Sequence, residues 1–237
     1  MTHVFEWARM AMGLDEPLER GDATSMDGVL ITGQTGFIAG THVVSNLGWQ
    51  TVEKLHVGDK VLSFDNGMQP IADIQHDIRH VPARLHHTDQ CPVLIPEGAL
   101  RNRRPLWLMP DQGIVVESDI VMDDMGDPFA VVPAKALLGH RGITLAPLGE
   151  QINVTTLAFR NDEAIYVEGG LLAHCPTPRS LLDGVRSSDP EYRVLNLRAA
   201  KFLVSCHMDD AEPAGLTYHP EEIFAVLKSR ERPGTMV

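Results

Sequence analysis

Between residues 29 and 170 the apolar residues come in runs of four to seven, each stopped by Gly, Pro, Asn or Asp. The runs include THVVS, KVLSF, CPVLI, LWLM, GIVVES, FAVVPA, INVTTLAF and AIYVEG. Such runs are too short for core helices, and they are rich in Val, Ile and Thr, whose branched side chains suit a pleated surface. This spacing predicts an all-β domain. Asn66-Gly67 predicts a tight hairpin, because both residues accept positive φ cheaply. KVLSF alternates and predicts a half-buried strand. TVEKL (51–55) and PAKALLGH (133–140) predict short helical interruptions, the second ending at Gly139.

The flanks read differently. Val4, Phe5, Trp7, Ala8 and Met10 fall near helical spacing over 3–13, and polar residues 14–28 read as a linker. The tail HPEEIFAVLKSR (219–230) predicts a helix, with Pro220 in its first turn, Glu221 and Glu222 at its positive end and Lys228 and Arg230 at its negative end. YRVLNL and KFLVSC fit strand or helix equally. The expected division is 1–29 (helix and linker), 30–175 (β domain) and 176–237 (an extension ending in an amphipathic helix).

The chain is acidic, with 20 Lys and Arg against 32 Asp and Glu, a formal net charge of −12. That balance repels phosphate backbones and anionic membranes, so nucleic acid is not an expected partner. No apolar run reaches membrane-spanning length, and the first residues lack the pattern of a secretory signal. The expected location is the cytoplasm, or outside the cell by a route that uses no such signal. Cys91, Cys175 and Cys206 stand far apart, which argues against a disulfide framework or a CxxC zinc site.

One stretch is more specific. AGTHVVS supplies Gly40 and Thr41, and GWQTVEKLHVGDKVLSFDNG supplies Gly48, Val52, Glu53, Leu55, Gly58, Asp59, Val61 and Leu62. This ordered set resembles the opening of a Hint domain, the module shared by hedgehog autoprocessing domains and inteins, and looks closest to the bacterial Hint-like group. RPLWLMPDQGIVVES (104–118) resembles the central strand of that family. FAVVPAKALLG (129–139) and AFRNDEAIYVEG (158–169, with Glu168) resemble its later landmarks. The resemblance covers about residues 30–175 and implies a flattened horseshoe of short strands.

It also implies a chemistry that this chain lacks. In active members a thiol or hydroxyl attacks the carbonyl before it, and a central-strand His protonates the departing amide nitrogen. Counting back from Gly40-Thr41, the nucleophile position is Gly36. Aligning Trp107 and Pro110 puts Gln112 in place of the His, beside Asp111, and glutamine transfers no proton near neutral pH. No apolar strand ends in the His-Asn of a splice junction. The expectation is a catalytically silent domain with vestigial positions Gly36, Thr41 and Gln112. It needs no cofactor or metal and is suited to binding a protein or extended peptide, in a pocket expected near Gly36, Thr41, Asp111 and Gln112.

Other candidates weigh less. Thr35 and Thr41 carry hydroxyls but no activating base, so self-cleavage through Thr35 is the lesser alternative. A metal- or calcium-responsive structural role is another. His76, His80, His86 and His87 with Asp77 and Asp89 are too spread to chelate if the segment is a strand, where positions four apart lie about 13 Å from each other. Glu117, Asp119, Asp123, Asp124 and Asp127 lack the order of an EF-hand loop and predict a solvated hairpin tip. His174 and Cys175 are neighbours, which on a strand would face opposite ways, and GGLLAHCPTPRS (169–180) reads as a boundary loop.

Overall fold

The computed structural model describes residues 35–81, 90–100, 102–121, 126–146, 148–168, 170–177 and 192–207. The helices expected at 3–13 and 219–230, the linker at 14–28, and His86, His87, Asp89, Asp123 and Asp124 lie outside these residues.

In chain order the strands are β1 (Phe37–Ile38), β2 (His42–Ser45), β3 (Gly48–Thr51), β4 (Lys60–Ser63), β5 (Gly67–Pro70), β6 (Asp73–His80) and β7 (Val93–Ile95). Then follow β8 (Leu106–Leu108), β9 (Gly113–Glu117), β10 (Phe129–Pro133), β11 (Thr144–Leu145), β12 (Gln151–Ala158), β13 (Glu163–Val167) and β14 (Leu171–Cys175). Three single 3-10 turns, Val52–Lys54, Asp119–Val121 and Ala134–Leu137, interrupt them, and α1 (Leu197–His207) is the one α-helix among the described residues.

The strands form two antiparallel sheets. The first runs β11-β7-β8-β1-β12-β6, and the second runs β10-β9-β14-β13-β2-β4-β5, with β3 added on β2. The described residues are mostly β-sheet, with one helix, as the short runs predict for 29–170. The hairpin expected at Asn66-Gly67 joins β4 to β5, with Gly67 at φ +67°. The two helical interruptions are present as 3-10 turns, and Gly139 follows the second.

The main core lies between the sheets, where Phe37, Leu106 and Leu108 of the first meet Ile114, Val116, Ile165 and Val167 of the second. A second cluster, including Val44, Leu62, Val115, Val131, Tyr166 and Leu172, covers the other face of the second sheet. That sheet is therefore buried on both faces along its middle strands, although β3 and β5 stay partly exposed. Its strands lose the alternation a half-exposed strand shows: Val61, Leu62 and Ser63 of β4 are all buried, not half-buried as the sequence pattern predicts. β13 and β14 are buried at every position.

His174 and Cys175 lie on β14 and not in a boundary loop. The Gly residues before them and Pro176 after them read as loop signals, but they only bracket a short buried strand. Past this strand, the segment from Tyr192 rejoins the body. Val194 forms a parallel bridge with Val131, and Leu195 N donates to Val131 O at 2.9 Å. α1 then sinks Ala199, Ala200, Leu203 and Val204 into the main core, against β10 and the turn Ala134–Leu137. YRVLNL thus supplies an edge bridge, and KFLVSC is helical.

Candidate functional site

Two polar clusters stand out, and the residues singled out from the sequence divide between them.

The first is built around Gly36. Its N–H donates to Gln112 Oε1 at 2.9 Å, a bond between residues 76 positions apart. β1 carries Gly36 to this point between β8 and β12. Gln112 is brought there by the turn before β9, where its N–H donates to Met109 O and its carbonyl accepts from Ala134 N. The Gln112 Nε2 group donates to His174 O at 2.7 Å and to Gly113 O at 3.2 Å. This network fixes the amide orientation. A flipped side chain would set its carbonyl oxygen against two carbonyl oxygens and its NH₂ against an N–H.

Gly36 has no space for a side chain. A Cβ there would lie 2.6 Å from Val154 Cγ1, 2.9 Å from Thr156 Oγ1 and 3.1 Å from Thr155 O, at a backbone φ of +120°. The Cα therefore faces packed β12 side chains, which corrects the expectation of an open pocket at this position. Beside it, the Asp111 side chain, 7% exposed, pairs with Lys135 Nζ at 2.7 Å, while Pro110 O accepts from Lys135 N.

His174 closes this cluster. It is buried, its ring stacks edge-on against Tyr192 with centroids 5.4 Å apart, and its Nε2 has no hydrogen-bond partner among the described residues. Gly113 leaves room for it, because a Cβ on Gly113 would lie 3.0 Å from His174 Cβ. Burial pushes its pKa down to about 4, against a smaller opposing pull from Asp162, so the ring is neutral near pH 7. Its neighbour Cys175 points to the other face of β14, into the main core, where burial and the nearby Glu163 raise the thiol well above its ordinary range. Cys91 is raised by burial as well. A thiol held protonated is a poor nucleophile.

The second cluster is the corner joining β1 to β4, and it contains most of the motif. Glu53 Oε2 accepts from Gly40 N at 3.0 Å. Burial alone would raise the Glu53 pKa, but bonds from the Gly40 and Glu53 amides, with the nearby Thr51 hydroxyl and a pull from His42, outweigh it and lower the value. Thr41 is buried; its N–H bonds Ile38 O, and its carbonyl accepts from Val52 N. Val52 and Leu55 face the core. Gly58 N donates to Ile71 O, and Asp59 Oδ2 accepts from His56 N at 2.8 Å, closing the bend into β4. Glu168 is buried at φ +35°, a region that costs a non-glycine residue about 1–3 kcal/mol. His42 holds it there, with its N–H at 2.6 Å and its Nδ1 at 3.1 Å from Glu168 Oε1. Thr41 and Glu168 thus belong to this corner, while Gly36, Pro110, Asp111 and Gln112 belong to the first cluster.

A third polar group, centred on buried Glu163, was not singled out from the sequence. Glu163 accepts from Ser63 Oγ and from Asn66 Nδ2, and Tyr192 OH bonds Asp65. The signal available was a carboxylate opening an apolar run, in DEAIYV.

The remaining candidates are ordinary. His76 and His80 sit on β6, opposite Thr155 and Gln151, and so on a strand and not a helix. Glu117 ends β9, which pairs with β10, and of the acidic residues after it the described ones, Asp119 and Asp127, lie between these two strands. Among the described residues no group of three or more His, Cys, Asp or Glu could hold a metal ion, and no helix is long and apolar enough to cross a membrane.

Residues 35–173, more than half of the chain, match the family model described as the Hint domain, and the chain belongs to that family. Among solved structures it is similar to a splice-inactive variant of the AceL NrdHF class 3 split intein, with 16% identity over 61% of this chain and 99% of that one and a TM-score of 0.41. It is also similar to a bacterial intein-like domain from Clostridium thermocellum, with 14% identity over 59% and 98% of the two chains and a TM-score of 0.39. A third is the MchDnaB-1 intein, with 9% identity over 58% and 98% and a TM-score of 0.37. No curated protein matches the chain significantly.

Proposed function

We propose that this Hint domain does not cleave or splice itself and serves as a non-catalytic binding or scaffold module. In this reading Gly36 occupies the nucleophile position, and Gln112 that of the acid which protonates the leaving nitrogen. The leaving nitrogen would be Gly36 N itself. One observation carries the proposal: Gly36 N already donates to the side-chain oxygen of Gln112. An acceptor therefore stands where a proton donor is required. Breaking the Thr35–Gly36 bond needs that nitrogen protonated, because an amide anion is a prohibitively poor leaving group. The close packing of Val154 and Thr156 against Gly36 supports the same reading, since it leaves no room for a thiol or hydroxyl.

Intact-mass spectrometry of the full chain tests this. Kept for days at neutral pH, with and without hydroxylamine or a thiol, the chain is expected to retain a single unchanged mass. Fragments ending at Thr35 or beginning at Gly36 would overturn the proposal, and so would fragments ending at Gln34 or beginning at Thr35, which would assign the attack to the Thr35 hydroxyl.

A further inference from the structure

β6 lies at the end of the first sheet. β12 pairs with all eight of its residues on one side, and among the described residues no strand pairs with the other. The backbone directions can be read from two bonds. Val81 N donates to Glu150 O, continuing the β6–β12 register, and Ala39 N donates to Asn153 O, turning the odd-numbered residues of β12 toward β1. In an antiparallel ladder opposed residues alternate between exchanging both hydrogen bonds and exchanging none. Asp73, Gln75, Asp77 and Arg79 therefore bond β12, and the N–H and C=O groups of Ile74, His76, Ile78 and His80 point outward. Ile78 is 65% exposed, one of the most exposed large apolar side chains among the described residues.

We propose that this edge binds a second copy of the chain, β6 against β6, antiparallel about a two-fold axis through His76. Outward-pointing residues must oppose one another, so the axis falls on a residue and not between two. Centred on Asp77, two carboxylates would meet on the axis. Centred on Ile78, the overlap shrinks to residues 76–80. Centred on His76, residues 73–79 all pair. Asp73 then faces Arg79 of the second copy, Ile74 faces Ile78, and Gln75 faces Asp77, each twice.

Charged residues on an edge usually keep other strands away. In the single chain Arg79 pairs with Asp77 at 3.0 Å; across the axis it also meets Asp73 of the second copy, so opposite signs face one another and the charges select a copy of the same strand. The edge also suits association by a molecule of net charge −12, because β6 carries only two aspartates and one arginine. Pairing covers each exposed Ile78 with the other copy's Ile74 and gives the six outward backbone groups of Ile74, His76 and Ile78 partners across the axis, the Ile74 N–H exchanging its bond to the Asp73 carboxylate for one of them.

Sedimentation analysis of the full chain, from micromolar to sub-millimolar concentration, is expected to show a mass rising toward twice that of one chain. Asp73→Arg sets arginine against Arg79 twice and is expected to weaken the dimer by about tenfold or more. Adding Arg79→Asp restores opposite signs and the dimer. Ile78→Pro is expected to abolish dimerisation while leaving the melting temperature nearly unchanged, because the lost N–H points away from β12. In a Cys206→Ser background, His76→Cys on the axis cross-links to itself under mild oxidation, and Ile78→Cys does not. A chain that stays monomeric throughout overturns the proposal, as it would if the edge served a strand of another protein. A dimer indifferent to Ile78→Pro and to the charge swap overturns it equally.

Discussion

Gly36 is the position where one atom decides most. Alanine there would push a methyl to 2.6 Å from Val154 Cγ1 and hold a side chain at φ +120°. The expected cost is about 2–4 kcal/mol, from steric displacement and backbone strain together, read as a lower midpoint of urea unfolding. His174 gives a second prediction at this scale. Its folded pKa is about 4, below the roughly 6.5 of an unfolded histidine. The unfolded chain therefore takes up the proton first as pH falls. The associated stability is complete above about pH 6.5 and is lost progressively toward pH 4, by up to about 3 kcal/mol. Glu53, also lowered, adds a loss of the same sign further down in pH. His174→Leu is expected to flatten the slope between pH 6.5 and 4, leaving the Glu53 contribution in place, when urea unfolding is compared with the parent chain. Neither residue's setting was legible from its neighbours in sequence. Gly36 and Gln112 were paired only through the family resemblance, since no local pattern links positions 76 apart. His174 looked like part of a loop because its packing comes from Tyr192 and Gly113, which are remote in the chain.

The strands were the legible elements. Short β-branched runs between turn formers specify β structure locally, and Asn66-Gly67 specifies its hairpin for the same reason. What the runs could not reveal is which of them are covered on both sides. β13 and β14 are, because a second apolar cluster lies over the outer face of their sheet. The segment from Tyr192 to His207 was the least legible. A bridging residue, a turn and a helix follow one another so closely that neither period, 2 or 3.6, has length to develop. Its energetic role is nonetheless large. Leu203 is 1% exposed in the main core, and Leu203→Ala is expected to cost about 2–4 kcal/mol. Calorimetry should show this as a lower melting temperature of the whole β body, in one transition, and not as separate loss of the helix. Two transitions would mean that α1 and the sheets unfold independently.

For the whole molecule, charge dominates what approaches it. A formal net charge of −12 places a repulsive field around the body that low salt strengthens. No retardation of duplex or single-stranded DNA is expected in a gel-shift assay at low ionic strength, even at micromolar protein; a salt-sensitive shift would contradict this. The architecture itself is set by the two sheets closing on one apolar interior, and that interior is finished by a part of the chain outside the family pattern. The matched region stops at residue 173, yet Ala199, Ala200 and Leu203 help to fill the space beside Ala134 and Val132. Anyone transplanting this module into a host protein would therefore have to carry the polypeptide through His207. A graft trimmed at the family boundary would arrive with its lid left behind and an oily cavity open to water.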